Sequence, residues 1–228
     1  MNSLNEALLV NLIGFAAGIA LYSLLAGMVV RYRSADGRID LRLFATAWLG
    51  LIWNAGELII LIRKDLTLSP EIPLLSAAAY SALGFLPAVV IHSSETEATK
   101  KYYISHIAYC LSTFAATLHF YDALTGIETP SVTGLITMTI GSAVLAVALI
   151  ALNFRQPLEK KAVLAAAIFV FALSGLHLTG DRESTSWLIE LTAHQASLAI
   201  AIAILLQNFR FAFADLFLKR AISLLILA

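Results

Sequence analysis

The sequence predicts an all-α polytopic membrane protein, a bundle of seven transmembrane helices with its N-terminus outside and its C-terminus inside. Of its 228 residues, 60% are hydrophobic and 13% are charged, whereas the apolar share of a soluble domain is nearer half. The mean hydropathy of +0.85 agrees with this assignment. The apolar residues form seven stretches of roughly 17 to 25 residues, which is long enough to cross a hydrocarbon core of about 30 Å as helices.

Short polar segments separate the seven predicted spans. The spans lie near Leu8–Val30, Leu43–Ile62, Pro73–His92, Tyr102–Ala123, Val132–Leu152, Ala162–Leu178 and Trp187–Leu206. No basic residue precedes the first span, which indicates a retained helix and not a cleaved signal peptide. We assign residues 1–207 to one seven-helix domain and residues 208–228 to an exit helix. The single cysteine, Cys110, excludes an internal disulfide.

The basic residues of the connecting segments orient the predicted bundle. Twelve of them fall on one side of the membrane: Arg31, Arg33, Arg38, Arg42, Lys100, Lys101, Arg155, Lys160, Lys161, Arg210, Lys219 and Arg220. Three fall on the other side: Arg63, Lys64 and Arg182. Because cytoplasmic segments carry the excess of Lys and Arg, we predict that the N-terminus lies outside and the exit helix inside.

Several polar residues fall in the outer half of the predicted spans. Insertion scales give a charge at the centre of a membrane helix a cost of about 2.5 to 3.5 kcal/mol, so such residues usually mark function. The candidates are Asn54, Glu57, His119, Asp122, His177, Glu190, His194 and Ser197. The last three are spaced i, i+4 and i+7, which places them on one face of the seventh span.

These residue types suit a polar cavity that binds a metal, a cofactor or a small ligand. For a transition metal such as zinc or copper, the candidate ligands are His119, Glu190 and His194. The simpler alternative is that each histidine is a neutral residue hydrogen-bonded between helices. Both alternatives remain open from the sequence.

Two further histidines, His92 and His106, fall near the inner ends of the third and fourth spans. They permit either a haem with two histidine ligands or a hydrogen bond between helix ends. His106 and His119 are 13 residues apart, which turns them about 140° from each other on a helix. The fourth span therefore cannot present both to two stacked haems, and haem fits less well than a metal ion.

Gly14 and Gly18 are spaced so that two helix backbones can approach closely in lipid. They serve either packing inside the bundle or a homodimer contact. The formal net charge of zero gives no reason to expect a nucleic-acid partner, so the lipid bilayer is the expected surrounding.

The exit helix, residues 208–228, changes in character from the span before it. Asp215 and Lys219 are four residues apart, the spacing of a helical ion pair, and the pattern fits an amphipathic helix on the inner surface. The apolar run after residue 221 is also compatible with the start of an eighth membrane segment.

The run ELTAHQASLAIAIAILLQNFRFAFADLFLKRAISLL resembles the end of the N-terminal membrane sensor region of bacterial sensor histidine kinases of acidobacterial type. WNAGEL, FLPAVVIH and the pair Leu118–His119 are similar as well. Relatives often carry two adjacent histidines in the seventh span, where this sequence has His194 and Gln195.

The resemblance implies a multi-pass protein of the bacterial inner membrane. It also implies that a cytoplasmic kinase module, or a response regulator, acts downstream. Neither a phospho-acceptor box nor an ATP-lid glycine motif occurs in these residues. We therefore expect the sensory part of such a kinase, or a fragment, without the catalytic kinase domain.

The alternative function is an intramembrane zinc hydrolase, similar to the alkaline ceramidase and adiponectin-receptor group. His119, Asp122, His177, His194 and Ser197 supply the residue types of that group, with a zinc-bound water as nucleophile. Its last helix carries His-xxx-His, however, whereas this sequence has Glu190-xxx-His194.

Overall fold

The computed structural model describes residues 3–31, 39–65, 72–95 and 102–152, together with Lys219. The predicted sixth and seventh spans lie outside the described residues, as does the exit helix apart from Lys219, which is helical and exposed. The described part of the chain is built from α-helices, as the composition predicts. The total of seven spans and their orientation in the membrane remain predictions.

Five helices follow one another along the described chain. They are α1 (Ser3–Arg31), α2 (Leu41–Asp65), α3 (Pro73–Ser94), α4 (Ile104–Thr125) and α5 (Val132–Leu152). They coincide with the first five predicted spans to within a few residues. Four stretches are long and apolar enough to cross a membrane: Leu8–Arg31, Leu41–Arg63, Pro73–Ser94 and Val132–Leu152. The two histidines and several hydroxyl side chains of α4 lower its hydropathy, so it is not among these four.

Each helix packs against the next in the chain, and α3 also contacts α5. Helix α3 therefore lies at the centre of the described bundle, with 72% of its apolar window buried against 33% to 39% in α1, α2 and α5. A helix in this position must be apolar on all its faces. The sequence of α3 meets that requirement with small and aliphatic residues on every side.

Glycines allow α1 and α2 to pack closely in a reciprocal manner. A Cβ atom at Gly18 would collide with the side-chain oxygen of Asn54, and one at Gly50 would collide with the ring of Tyr22. Each helix thus packs a polar or aromatic side chain against the backbone of the other helix. Because Gly18 is covered by α2 of the same chain, the structure favours packing inside the bundle over a homodimer contact at Gly14 and Gly18.

Candidate functional site

Four buried rings form a line across α1 to α4, which we call the aromatic line: Phe15, Trp53, Tyr80 and His119. The ring centroids are 6.4 Å apart for Phe15 and Trp53, 5.1 Å for Trp53 and Tyr80, and 6.2 Å for Tyr80 and His119. The first two pairs are close to perpendicular, which brings the positive edge of one ring to the face of the next. The line joins one residue from each of four consecutive helices.

His119 ends the aromatic line and is 1% exposed. Its Nδ1 atom accepts a hydrogen bond of 3.0 Å from the backbone N–H of Ser131. An imidazole nitrogen that accepts a hydrogen bond carries no proton, so the proton of this neutral ring lies on Nε2. The histidine thereby ties the end of α4 to the residue that precedes α5.

Ser131 and Gly134 shape the other side of this contact. The carbonyl oxygen of Ser131 accepts the N–H of Leu135 at 3.0 Å, and its hydroxyl oxygen lies 3.5 Å from the donating N–H of Gly134. Ser131 therefore caps α5 in the usual manner of a serine. A Cβ atom at Gly134 would lie 2.9 Å from Cε1 of His119, so the ring fits only because that residue is glycine.

The hydrogen bond of His119 differs from that of a typical metal ligand. A ligating histidine donates the N–H of its second nitrogen to an acceptor while the first binds the metal. Here Nδ1 receives a donor, so a metal at Nδ1 would displace the N–H of Ser131. A metal at Nε2 would require loss of the proton on that atom. Within the described residues, no group of three or more His, Cys, Asp or Glu side chains is placed to hold a metal ion.

Asn54 and Glu57 lie one turn apart on α2 and are 0% and 8% exposed. The amide nitrogen of Asn54 donates to the carbonyl oxygen of Gly50 at 2.7 Å. Its side-chain oxygen points at the backbone of Gly18 and accepts no hydrogen bond from the described residues. A contact between this oxygen and the Cα–H of the glycine is the weak interaction available to it. Both predicted residues are thus in the interior, as the cost of exposing them to lipid requires.

Of the remaining outer-half candidates, one lies within the described residues and four lie outside them. Asp122 is half-buried, and its backbone oxygen accepts the N–H of Ile127 at 3.0 Å where α4 ends. The other candidates lie outside the described residues: His177, Glu190, His194 and Ser197. The structure therefore places His119 at the end of the aromatic line. A shared polar site of His119 with residues of the seventh span remains a prediction.

The two inner histidines have different neighbours. Nδ1 of His92 lies 3.3 Å from the hydroxyl oxygen of Tyr109, and the two rings are perpendicular with centroids 5.8 Å apart. His106 is exposed, and its ring contacts that of Tyr103 at 5.5 Å. A hydrogen bond between helix ends, one of the two possibilities that the sequence leaves open, is therefore present at His92, but its partner is Tyr109 and not His106.

Glu95 connects the end of α3 to the start of α4. One carboxylate oxygen accepts the backbone N–H of Ser105 and the other accepts its hydroxyl, both at 2.8 Å. The residue at the N-cap position, Tyr103, has a positive φ of 53° and makes no side-chain cap. Glu95 supplies this cap from the preceding helix. The sequence predicts only a short polar segment between these helices, so the interaction is a finding of the structure.

We expect Glu95→Ala to destabilise the first turn of α4 by about 1–2 kcal/mol, because loss of a capping side chain costs about that much. Amide hydrogen exchange at Ser105, followed by mass spectrometry in lipid nanodiscs, would measure the change. Glu95→Gln is the matched control, since its remaining carbonyl oxygen still accepts one hydrogen bond. Equal exchange in Glu95→Ala and the wild type would contradict the capping role.

Sequence reasoning missed Tyr80 and Ser131. Tyr80 stands among small residues in an apolar helix, and a buried tyrosine in such a helix usually finds a partner for its hydroxyl group. Ser131 precedes Val132 as a helix-capping residue normally does, but nothing local predicts its contact with His119. That contact depends on how α4 and α5 pack.

No protein-family model, no curated protein and no solved structure matches this chain. The functional interpretation therefore rests on the sequence and on the described residues.

Proposed function

We propose that this chain is the membrane-embedded signal-input domain of a bacterial two-component sensor histidine kinase, located in the cytoplasmic membrane. The observation that carries the proposal is the set of buried polar residues within apolar helices: Asn54, Glu57 and His119 on two neighbours of α3. Polar and ionisable groups at such positions are costly in a membrane and mark functional sites. The resemblance of residues 190–225 to kinase sensor regions supports a histidine kinase module as the output.

The proposed mechanism uses two packing arrangements of the bundle. A ligand, a metal ion or a changed cofactor state in the outer half would interact with the polar residues more strongly in one arrangement than in the other. Only this difference in interaction free energy can shift the balance between the two. The aromatic line runs through four helices, so displacement of one ring would act directly on the ring that it contacts in the next helix.

The conformational signal would pass to the cytoplasmic side through the seventh span and the exit helix. Glu190, His194 and Ser197 share one face in the outer half of the predicted span, while Arg210, Lys219 and Arg220 hold its continuation at the cytoplasmic side by the positive-inside rule. Displacement of the span would reorient a kinase module joined after it. The proposed cytoplasmic partner is therefore that module, or a response regulator that reads it.

A chimera tests this proposal without knowledge of the stimulus. The full chain is fused after Ala228 to the dimerisation and ATP-binding modules of a histidine kinase, and basal autophosphorylation is measured in membranes. We expect Glu57→Gln to change the basal level by at least about fivefold, because a shift of about 1 kcal/mol between two states has that effect. The matched control is Ile59→Leu on the same helix, an exposed position expected to leave the level unchanged.

If Glu57→Gln and the control give the same activity in folded protein, the outer polar residues do not act on the output and the proposal is wrong. Elemental analysis of the purified chain separates the alternative function. Stoichiometric zinc, together with hydrolysis of a ceramide-type amide, would instead support an intramembrane hydrolase.

A further inference from the structure

A second group of polar side chains lies at the ends of α2, α3 and α4 that are predicted to face the cytoplasm. We call it the inner polar cluster, and its members are Arg42 in α2, His92 in α3, Glu95 just after α3, and Ser105 and Tyr109 in α4. Nδ1 of His92 lies 3.3 Å from the hydroxyl oxygen of Tyr109. The charges of Arg42 and Glu95 both act on the phenol of Tyr109. The cluster therefore joins three helices.

Arg42 lies on the face of α2 that packs against α3. Trp53 contacts Tyr80 of α3 with ring centroids 5.1 Å apart, and it follows Arg42 by 11 residues. At about 100° per residue, this spacing places the two side chains within about 20° of the same face. Arg42 is half-buried, whereas Leu41 beside it is 76% exposed. The guanidinium group is therefore directed toward the inner end of α3 and not out toward lipid.

The carboxylates closest in the chain to this region are already engaged with other donors. The two oxygens of Glu95 accept the backbone N–H and the hydroxyl of Ser105. Oδ1 of Asp40 accepts the backbone N–H groups of Arg42 and Leu43 and thereby caps α2. Among the residues that the structure describes, none forms an ion pair with the guanidinium of Arg42. Because arginine stays charged and removal of a charge from water is costly without a partner, this group is available to an anion.

We propose that the inner polar cluster binds a phosphate group, with Arg42 as its main ligand and the hydroxyl of Tyr109 as a second donor. A guanidinium group can donate two parallel hydrogen bonds to two phosphate oxygens. When His92 carries its proton on Nδ1, that N–H donates to the hydroxyl oxygen of Tyr109, and the hydroxyl proton is left for the phosphate. This site lies at the end of the bundle opposite to the outer polar residues and does not depend on the proposed signalling function.

Two sources can supply the phosphate group, namely the headgroup of an anionic phospholipid and a dissolved phosphate. Tyr102 and Tyr103 at the start of α4 are 46% and 64% exposed. Tyrosines of membrane proteins are enriched at the level of the headgroups, so the cluster lies near the depth of the lipid phosphates. The cytoplasmic leaflet also carries anionic lipids. The experiment below distinguishes the two sources.

Thermal unfolding of the full chain in the uncharged detergent dodecyl maltoside tests the site. The purified protein is titrated separately with phosphatidylglycerol, with inorganic phosphate, and with a diacylglycerol that has the same acyl chains but no phosphate. A ligand that binds only the folded chain raises the midpoint of unfolding with its concentration, which gives its dissociation constant. We expect phosphatidylglycerol or phosphate to raise the midpoint and diacylglycerol to leave it unchanged.

Matched charge variants make the result specific. Arg42→Gln should weaken binding at least about tenfold, because it removes charge-assisted hydrogen bonds, and Arg42→Lys should lie between it and the wild type. Arg31→Gln removes the same charge from the exposed end of α1 and should change binding by less than about twofold. Glu95→Gln removes the opposing charge but still accepts one hydrogen bond from Ser105, so binding should tighten at least about threefold.

The outcomes separate the two sources and can reject the site. A response to phosphatidylglycerol alone supports a lipid headgroup, whereas a response to inorganic phosphate as well supports a dissolved ligand. The proposal is wrong if neither raises the midpoint, or if diacylglycerol raises it as much as phosphatidylglycerol. Equal weakening in Arg42→Gln and Arg31→Gln would reflect general attraction to a basic surface and would also reject the site. Weaker binding in folded Glu95→Gln would contradict the assigned electrostatics.

Discussion

Replacing His119 with leucine is expected to lower the free energy of unfolding by about 2–6 kcal/mol. The backbone N–H of Ser131 loses its acceptor in a buried position, and an unsatisfied buried donor costs about 1–3 kcal/mol. Leucine also has a different shape from the ring that fits against Gly134 and Tyr80, and misfit in a packed interior costs about 1–3 kcal/mol. The two costs add because they arise from different atoms.

Equilibrium unfolding in mixed micelles by titration with sodium dodecyl sulfate, followed by circular dichroism, would measure this loss. Hydrogen exchange at Ser131 gives a local signal that a general packing defect does not. In the wild type its N–H is buried and bonded to Nδ1 of His119. We expect its exchange to accelerate at least about tenfold in His119→Leu, which corresponds to about 1.4 kcal/mol of lost protection.

His119→Asn is the matched control, because its side-chain oxygen can take the place of Nδ1 as the acceptor. It should keep Ser131 protected and lose less stability than the leucine variant. If the asparagine and leucine variants are equally destabilised, the hydrogen bond to Ser131 contributes little. If a chelator destabilises the wild type as much as the leucine substitution does, His119 is a metal ligand and our assignment of its role is wrong.

The helices could be predicted from the sequence because each depends on a long local pattern. In a membrane, an apolar run of about 20 residues forms a helix, because few other structures satisfy its backbone hydrogen bonds. Four of the five described helices follow from this rule, including α3 with its internal Pro87. The burial of Asn54 and Glu57 was predictable for a related reason, since exposing them to lipid is costly.

Partners across helices were not predictable in the same way. The contact of His119 with Ser131 spans 12 positions and that of Glu95 with Ser105 spans 10, and each depends on the angle between two helices. The sequence left a haem site and a hydrogen bond between helix ends open for His92 and His106, and the rotation of α4 presents Tyr109 to His92 instead of His106. Periodicity gives the face of a helix but not the partner that the face meets.

Replacing Gly18 with alanine is expected to cost about 2–4 kcal/mol. The added methyl group would overlap the side-chain oxygen of Asn54, so either α1 and α2 separate or the asparagine rotates away. Rotation breaks its hydrogen bond to the carbonyl oxygen of Gly50, and separation leaves a gap in the aromatic line between Phe15 and Trp53. Unfolding in micelles by the same titration measures the loss.

Gly27→Ala is the control, because a Cβ atom there meets no atom within 4 Å. It lies on the same helix and should be neutral or stabilising by up to about 1 kcal/mol, the helix-propensity difference between the two residues. The double variant Gly18→Ala, Asn54→Ala removes the overlapping oxygen, so it should be more stable than the sum of the single effects by at least about 1 kcal/mol. Strict additivity would show that Gly18 does not act through Asn54. A coupling of the expected sign would identify the Gly18–Asn54 contact as a determinant of the α1–α2 distance, and hence of the position of Trp53 beside Tyr80.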